Sequence, residues 1–444
     1  MSAATFKPSG QLRGAVAAPP DKSISHRAAL LGAMGDGVTT IANYLDAADT
    51  RSTLDAVRAL GADVTGLSPA PGVLEIRGVG LRGPGASASG EVAIDVGNAG
   101  TLLRILPGWL AGQGAGAWVL DGDESIRRRP VDRVVAPLAD MGARISARED
   151  RLTPLRVEGA ELHGIEYRLP VASAQVKSCV LLAGLMARGE TSVVEPGSSR
   201  DHTERMLRAA GADVTVTETG VPARDAAVRR VVVRPADRIE PGEIEVPGDF
   251  SSAAFAIVAA TLVAESEVRV SGTGLNPTRV GLLGILSRMG AALEVEEDPA
   301  SGGEPRGTIV ARYGPLEATR VTAPEVPIAI DELPLVALLG CFADGETVVE
   351  GAEELRHKES DRIGALVEGL AGLGAEIEER ADGFAVRGTG GLRGGRIDSR
   401  GDHRLAMLGA IAGLASREGV EVDGIESAAV SYPRFEDDLA ALAG

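Results

Sequence analysis

Residues Lys22–Met34 read KSISHRAALLGAM, a short polar head followed by an almost wholly apolar run. Five further segments have the same order, a polar head and then an apolar helix pattern, and successive copies begin 71 to 82 residues apart. They are NAGTLLRILPGWLAG from Asn98, SAQVKSCVLLAGLMA from Ser173, DFSSAAFAIVAATLV from Asp249, DELPLVALLGCFADG from Asp331 and DHRLAMLGAIAGLAS from Asp402. A repeat of this length exceeds a thin solenoid unit and is typical of a small α/β module. The sequence therefore predicts six modules.

Each module also contains a second helix pattern, and in five of the six a glycine and then a strand follow it. The five copies are LDAVRALGADVTG, VVAPLADMGARIS, ERMLRAAGADVTV, LLGILSRMGAALEVE and LVEGLAGLGAEIEE, and the chain closes on a sixth, EDDLAALAG. The glycine stands where a helix end needs positive φ. The second helices carry charge on one face and the first carry almost none. We therefore expect the first helix of each module to be buried all round and the second to be amphipathic.

The predicted fold is α/β (α+β), because strands and helices alternate within every module. Six modules of about 75 residues suit two similar domains of three modules each. The stretch DRIEPGEIEVPGD, with proline and glycine around a short strand, is the best candidate for the break. We predict one domain over residues 22–244 and a second over residues 1–21 and 245–444.

Composition limits the classes of function. The net charge of −18 argues against a long nucleic acid as partner, since phosphate contacts need many basic residues on one face. Cys179 and Cys341 lie in apolar runs without disulfide or metal spacing, and the five histidines are scattered, so we expect no metal and no cofactor. The apolar runs are too short to span a bilayer, and no signal-peptide pattern begins the chain, so we expect a cytoplasmic protein.

The polar heads predict binding of small anions. Ser, Asp and Asn cap free N–H groups at a helix start, and that end also attracts negative charge. Capping alone does not explain the added Lys22 and Arg27 in the first head or Gln175 in the third. Further candidates of the same kind are Asn98 (an expected N-cap), Gly100, Arg127, Arg128, Arg129, Ser173, Asp331, Glu332, Arg356, Lys358, Glu359, Arg362 and Arg404, with Lys358 and Arg362 expected on one helix face. The set suggests group transfer by acid–base catalysis.

In order along the chain, the motifs DKSISHR, NAGT, RRP, SAQVKS, DELP, KESDR and DHR resemble those of the 5-enolpyruvylshikimate-3-phosphate synthase family. The resemblance runs essentially end to end. It implies two domains of three βαβαββ units, with buried parallel helices surrounded by sheets in an inside-out α/β barrel. The implied activity is transfer of the enolpyruvyl group of phosphoenolpyruvate to the 5-hydroxyl of shikimate 3-phosphate, with release of phosphate. That reaction belongs to the shikimate pathway of aromatic amino acid biosynthesis, in the cytoplasm, and the family is usually monomeric.

The resemblance also implies roles for individual residues. For catalysis it points to Lys22, Asp331 and Glu359. For shikimate 3-phosphate it points to Lys22, Ser23, Arg27, Ser173, Ala174, Gln175, Arg200, Asp331 and Lys358. For phosphoenolpyruvate it points to Lys22, Gly100, Arg129, Gln175, Arg362 and Arg404. No metal is implied, and neither a nucleic acid nor a membrane is an expected partner.

Two positions decide expectations of their own. Many relatives have lysine just before a motif like SYPRF, whereas this chain has Val430, so one phosphate contact is expected to be absent or supplied elsewhere. Gly100 is the residue of herbicide-sensitive members, so we expect glyphosate to inhibit this enzyme.

Three alternatives stay open at this point. The related enolpyruvyl transferase acting on UDP-N-acetylglucosamine uses a cysteine in a mobile loop and has Asn after the lysine, where this chain has Ser23. An RNA 3′-terminal phosphate cyclase shares a related module but needs a basic RNA surface. A non-catalytic repeat scaffold has no reason to place Lys, Arg and Gln at successive helix starts.

Overall fold

A computed structural model of the chain describes residues 2–66, 73–83, 90–219 and 228–444. The helices in these ranges are α1 (Lys22–Met34), α2 (Ala48–Ala59), α3 (Gly100–Ala111), α4 (Asp132–Asp140), α5 (Ala174–Gly184), α6 (His202–Ala209), α7 (Phe250–Leu262), α8 (Gly281–Arg288), α9 (Val326–Ala329), α10 (Leu333–Gly340), α11 (Arg362–Gly372), α12 (His403–Ala415) and α13 (Phe435–Ala443). Short 3₁₀ turns lie at Ile126–Arg128, Glu353–His357 and Ile425–Val430.

The strands form six small sheets. They are β1 (Ala3–Phe6), β2 (Arg13–Ala17), β3 (Val38–Ala42), β4 (Asp63–Thr65), β5 (Leu74–Arg77), β6 (Val92–Asp95), β7 (Ala117–Asp121), β8 (Arg144–Arg148), β9 (Leu152–Glu158), β10 (Glu166–Arg168), β11 (Thr191–Glu195), β12 (Val214–Thr219), β13 (Val228–Val233), β14 (Glu243–Glu245), β15 (Glu267–Gly274), β16 (Ala292–Ser301), β17 (Glu304–Arg312), β18 (Arg320–Val321), β19 (Glu346–Val349), β20 (Glu376–Arg380), β21 (Gly383–Arg387), β22 (Gly395–Asp398) and β23 (Val420–Asp423). The predicted mixed α/β class is confirmed.

The chain divides into two compact units, which we describe separately. The first unit comprises Pro20–Pro247 and Ala300–Glu304, and the second comprises Met1–Pro19, Gly248–Pro299 and Pro305–Gly444. The division into two three-module domains, one over residues 22–244 and the other over residues 1–21 and 245–444, stays a prediction.

The first unit has three four-stranded sheets with one pattern. Their strand orders are β14-β3-β5-β4, β6-β7-β9-β8 and β10-β11-β13-β12. In each sheet the first two strands are parallel and the remaining pairs are antiparallel. The apolar helix α3 packs against α1 and α5, and most residues of all three are buried, as their lack of charge predicts.

The second unit contains sheets β16-β17-β15-β2 and β18-β19-β21-β20 and a three-stranded sheet, β1-β23-β22. Helix α12 packs against α7 and α10, and every residue of α7 and α10 is buried. These helices bury their apolar side chains without a polar face, and burial of this kind is the dominant favourable term in folding. The polar side chains of these helices therefore lie mainly near their starts.

The glycines predicted to end the second helices are confirmed in all five copies. Each adopts φ between 81° and 99°, the left-handed region that residues with a side chain rarely enter; they are Gly61, Gly142, Gly211, Gly290 and Gly374. No helix in the described ranges is both long and apolar enough to cross a membrane.

Candidate active site

Helix α1 of the first unit begins with a cation. Asp21 caps the helix by accepting a hydrogen bond from the backbone N–H of Ile24 at 2.8 Å, and Lys22 is the first helical residue. The ammonium Nζ of Lys22 lies 3.4 Å from Oδ2 of Asp49, with the lysine side chain 20% exposed. Lys22 is thus held at the helix end by one long ion pair and remains accessible to a ligand.

Arg27, one turn further along α1, is almost fully buried and held in a fixed orientation. Its Nε donates to Oγ1 of Thr203 at 2.8 Å, Nη2 donates to Oγ of Ser178 at 3.0 Å, and Nη1 donates to the carbonyl oxygen of Ser23 at 2.9 Å. Burial lowers the pKa of Arg27 to about 10, and the nearby charge of Arg200 also lowers it. The guanidinium stays protonated at neutral pH, in a region where it gains from an added anion.

Helices α3 and α5 bring the second and third heads together. Nε2 of Gln175 donates to Oγ1 of Thr101 at 3.1 Å, next to Gly100. A methyl group on Gly100 would lie 3.0 Å from Nη1 of both Arg104 and Arg129. Gly100, Gln175 and Arg129 therefore line one small region, as the resemblance implies.

Ser173 is the N-cap of α5 and Ala174 is its first residue, so the capping interpretation of Ser173 is confirmed. Arg200 lies in the segment between β11 and α6. Its positive charge contributes to the lowered pKa of Arg27, so the two guanidinium groups lie near each other in the first unit. A doubly charged phosphate is the type of ligand that two such arginines suit.

In the second unit, Arg362 at the start of α11 is surrounded by carboxylates. Its side chain is 1% exposed, its Nε lies 2.7 Å from Oδ2 of Asp402, and its Nη1 lies 3.3 Å from Oδ1 of Asp331. Its Nη2 donates to Oε2 of Glu359 in a short contact. Burial alone lowers the pKa of Arg362, but Glu359, Asp402 and Asp331 together raise it above its usual value.

Arg404, the second residue of α12, completes this cluster. Its Nη1 donates to the backbone carbonyl of Asp331 at 3.2 Å, and its Nη2 lies 3.4 Å from Oδ2 of the same residue. Asp331 therefore contacts two of the three arginines predicted to bind phosphoenolpyruvate, Arg362 and Arg404. Because it is 11% exposed, a ligand could still reach its carboxylate.

Glu332 is a buried neighbour of these groups. It accepts a short hydrogen bond from Ser251, whose Oγ also accepts one from Nη2 of Arg279 at 2.9 Å. Burial raises the pKa of Glu332, and the adjacent charge of Asp331 adds to the rise. Asp249 caps α7 and also accepts a hydrogen bond from Nη2 of Arg279 at 2.9 Å.

Several expectations about the heads are wrong in detail. Asn98 does not cap α3, since the N-cap is Ala99; instead Asn98 accepts from Nη2 of Arg129 at 3.0 Å. Lys358 and Arg362 do not share a helix face, because Lys358 precedes α11 and follows a 3₁₀ turn. The reason is the same in both places: the helix begins one or more residues later than the polar pattern suggests.

Sequence reasoning also missed functional neighbours of the candidate residues. Asp402, the cap of α12 and the buried partner of Arg362, was recognised only as part of the DHR motif. Thr101, Ser178 and Thr203 bind Gln175 or Arg27 from other helices. Hydroxyl residues inside otherwise apolar helix patterns were the available signal.

The cysteines support the interpretation that they are structural. Both side chains are fully buried, and burial raises the pKa of Cys179 and of Cys341 to about 12. A catalytic cysteine needs an exposed position and a lowered pKa. Neither thiol fits the cysteine-dependent transfer to UDP-N-acetylglucosamine.

Comparison with known proteins points to one family. The profile described as EPSP synthase (3-phosphoshikimate 1-carboxyvinyltransferase) matches residues 6–439. The 3-phosphoshikimate 1-carboxyvinyltransferase of Synechococcus sp. (strain WH7803) is 45% identical over 443 residues, covering 99% of this chain and 98% of that protein. The enzyme of the same name from Acidithiobacillus ferrooxidans (strain ATCC 53993 / BNL-5-31) is 46% identical over 429 residues, covering 97% of this chain and 95% of the relative.

Solved structures agree. The EPSP synthase of Acinetobacter baumannii superimposes with a TM-score of 0.86 at 40% sequence identity, covering 99% of this chain and 98% of that one. The expected enzyme class, a transferase of the shikimate pathway and of aromatic amino acid biosynthesis, is confirmed, and the UDP-N-acetylglucosamine alternative is not favoured. This chain belongs to the EPSP synthase (3-phosphoshikimate 1-carboxyvinyltransferase) family.

Proposed function

We propose that this chain transfers the carboxyvinyl group of phosphoenolpyruvate to the 5-hydroxyl of shikimate 3-phosphate and that both clusters described above take part. The observation that carries the assignment of roles is the double pairing of Arg362. Two partly exposed carboxylates, Asp331 and Glu359, hold the guanidinium that is proposed to bind an anionic substrate. Acid–base groups next to an anion-binding arginine are what a proton-coupled group transfer requires.

The first-unit residues are proposed to bind shikimate 3-phosphate. Arg27 and Arg200 supply two guanidinium groups for the phosphate, and the helix start of α5 supplies N–H groups and a hydroxyl. The full set is Lys22, Ser23, Arg27, Ser173, Ala174, Gln175 and Arg200, with Asp331 and Lys358 from the second unit. Arg27 supports this role because Thr203 and Ser178 fix the orientation of its guanidinium group.

Phosphoenolpyruvate is proposed to bind Lys22, Gly100, Arg129, Gln175, Arg362 and Arg404. The carboxylates of Asp331 and Glu359 pair with Arg362. The carboxylate or phosphate of phosphoenolpyruvate would replace one or both of them. Because each displaced carboxylate loses a cationic partner, its affinity for a proton rises as the substrate binds. Substrate binding would in this way prepare the acid–base groups for the reaction.

The chemistry then follows with the proton accounted for at each step. The 5-hydroxyl oxygen forms a bond to C2 of phosphoenolpyruvate as Asp331 accepts the hydroxyl proton, and C3 receives a proton from Glu359 or Lys22. The tetrahedral intermediate next returns a C3 proton to the group that donated it, Glu359 or Lys22, as its C2–O bond to phosphate breaks, and the proton held by Asp331 passes to the leaving phosphate. Lys22, Arg362 and Arg404 stabilise the negative charge on the leaving phosphate. The monomeric state and cytoplasmic location implied by the resemblance stay predictions.

A phosphate-release assay tests the proposed reaction. The purified chain is incubated with phosphoenolpyruvate and either shikimate 3-phosphate or UDP-N-acetylglucosamine as acceptor. We expect phosphate release only when shikimate 3-phosphate is the acceptor. The carboxyvinyl product is identified by its mass. Release with the nucleotide sugar, or none with shikimate 3-phosphate, would refute the assignment.

Replacement of Gly100 by alanine is expected to weaken inhibition by glyphosate. The added methyl would lie 3.0 Å from Nη1 of Arg129 and Arg104, so a guanidinium must shift and the space beside it shrinks. Glyphosate is longer than phosphoenolpyruvate and should lose more affinity. We expect its inhibition constant to rise about tenfold or more, which corresponds to about 1.4 kcal/mol. The KM for phosphoenolpyruvate is expected to rise less. Gly114→Ala is the matched control, because a methyl there meets nothing within 4 Å. An unchanged inhibition constant in Gly100→Ala would contradict the expected contact.

A further inference from the structure

One fully buried cation in the first unit has no part in the reaction proposed above. Lys177 lies in the first turn of α5, and its side chain is 0% exposed. Its Nζ is 2.8 Å from Oε2 of Glu195 and 2.8 Å from Oε1 of Glu204, and it is 3.5 Å from the carbonyl oxygen of Ser199. An ammonium group has three N–H donors, and here two carboxylate oxygens and one carbonyl oxygen lie within 3.5 Å of it.

The three acceptors belong to segments that carry proposed contacts to shikimate 3-phosphate. Lys177 itself follows Ser173, Ala174 and Gln175 at the start of α5. Glu195 ends β11, and Ser199 immediately precedes Arg200. Ser199 also donates a short hydrogen bond from its Oγ to Oε1 of Glu195. The segment carrying Arg200 is therefore tied to Lys177 through both its backbone and its side chain.

Glu204 extends the same connection to Arg27. It follows Thr203 in α6, and Oγ1 of Thr203 accepts the hydrogen bond from Nε of Arg27 at 2.8 Å. Among the described residues, neither carboxylate oxygen of Glu204 accepts a hydrogen bond of normal geometry, so its buried charge depends on the ion pair with Lys177. One ammonium thus fixes both segments that hold the proposed phosphate-binding arginines.

The charges around this group explain why a lysine is needed. Glu195 and Glu204 are both fully buried, and their negative charges repel each other if no cation separates them. Arg229 is more distant from Glu195, at 4.0 Å, and is shared with Asp201 at 3.4 Å. Without Lys177, the nearby charge of Arg27 would become the partner available to Glu204. Arg27 would then be partly neutralised before a phosphate reached it.

We propose that Lys177 is a positioning residue for shikimate 3-phosphate, an inference that rests on the proposed function. It does not touch the substrate. It holds Arg200 through Ser199 and Glu195, and it holds Arg27 through Glu204 and Thr203. By neutralising Glu204 it also leaves the charge of Arg27 available to the phosphate.

The decisive comparison is between Glu204→Gln and the double variant Lys177→Met with Glu204→Gln. Lys177→Met alone leaves two buried carboxylates with one cation fewer and is expected to unfold easily. The double variant removes one positive and one negative charge together, and Glu195 can still contact Arg229 and Ser199. Binding of shikimate 3-phosphate is measured by calorimetry, and KM for each substrate and kcat are measured by phosphate release.

We expect the double variant to bind shikimate 3-phosphate about tenfold more weakly than Glu204→Gln. The KM for phosphoenolpyruvate and kcat at saturating shikimate 3-phosphate should change by less than about threefold. Leu182→Ala creates a cavity beside the same helix and is the control for an effect of lower stability alone. It should lower the unfolding midpoint and leave affinity for shikimate 3-phosphate unchanged.

Two results would overturn the proposal. One is equal affinity for shikimate 3-phosphate in the double variant and in Glu204→Gln. The other is a double variant in which kcat falls and the KM values for both substrates rise by similar factors. Calorimetry separates this proposal from the proposed reaction: wild-type protein that binds shikimate 3-phosphate without turnover would refute the reaction, and the role of Lys177 in binding would still be measured.

Discussion

Replacing Lys22 by methionine is expected to lower kcat/KM by about a thousandfold, or about 4 kcal/mol, with little change in stability. Lys22 is proposed to contact both substrates, so its loss removes an interaction with each and a source of transition-state charge stabilisation. The only ion pair it forms among the described residues joins Nζ to Asp49 at 3.4 Å and is partly exposed. Loss of such a pair costs about 1 kcal/mol or less.

The measurement pairs steady-state kinetics with urea unfolding of the same preparations. Lys7→Met is the matched control, because it makes the same substitution at an exposed lysine outside both clusters. Lys7→Met should behave as wild type in both assays. A Lys22→Met protein with normal turnover would defeat the assignment of the first-unit cluster, and one that unfolds in buffer would show that Lys22 is structural.

Replacing Asp402 by asparagine is expected to destabilise the second unit by about 3–5 kcal/mol at neutral pH. Asp402 is 0% exposed and its Oδ2 lies 2.7 Å from Nε of Arg362, which is 1% exposed. Asparagine can still accept the capping hydrogen bond that Oδ1 takes from the N–H of Arg404 at 3.0 Å. The loss therefore reports mainly the removal of the fully buried partner of Arg362, which keeps the partly exposed Asp331 and Glu359. Denaturant unfolding measures it.

The same pair predicts a dependence on pH. Burial alone raises the pKa of Asp402, but the charge of Arg362 outweighs it and holds the pKa below its usual 3.8. A lowered pKa contributes stability that is present above the unfolded value and is lost as pH falls through the folded value. The stability advantage of wild type over Asp402→Asn should therefore be constant near neutral pH and shrink below about pH 4.

Asp361→Asn is the control for this prediction. Asp361 also caps a helix and pairs with an arginine, Arg356 at 2.9 Å, but it is 47% exposed. The same substitution there should cost about 1 kcal/mol or less. Equal losses of unfolding free energy in the two variants would contradict the importance of burial. A stability difference between wild type and Asp402→Asn that stays unchanged in acid would contradict it as well.

The arginines of the second-unit cluster have carboxylate partners that the sequence did not reveal. The heads were expected to gather lysine and arginine side chains at the helix starts, and no partner for them was evident from the sequence. In the second unit, Arg362 and Arg404 pair with the carboxylates of Asp331, Glu359 and Asp402. The partners Arg362 and Asp402 are 40 positions apart, and no local rule links them. Motif matching located the arginines, but it could not show that the proposed base, Asp331, binds them before the substrate does.

Taken alone, the sequence determined the repeat, the mixed α/β class, the buried first helices and the glycines that end the second ones. These features depend on local periodicity and backbone conformation, which a few neighbouring residues specify. Tertiary structure decided which charges meet, as in the contacts of Arg27 with Thr203 and of Lys177 with Glu195 and Glu204. A charged side chain takes the partner that packing brings within about 4 Å, whatever their separation along the chain.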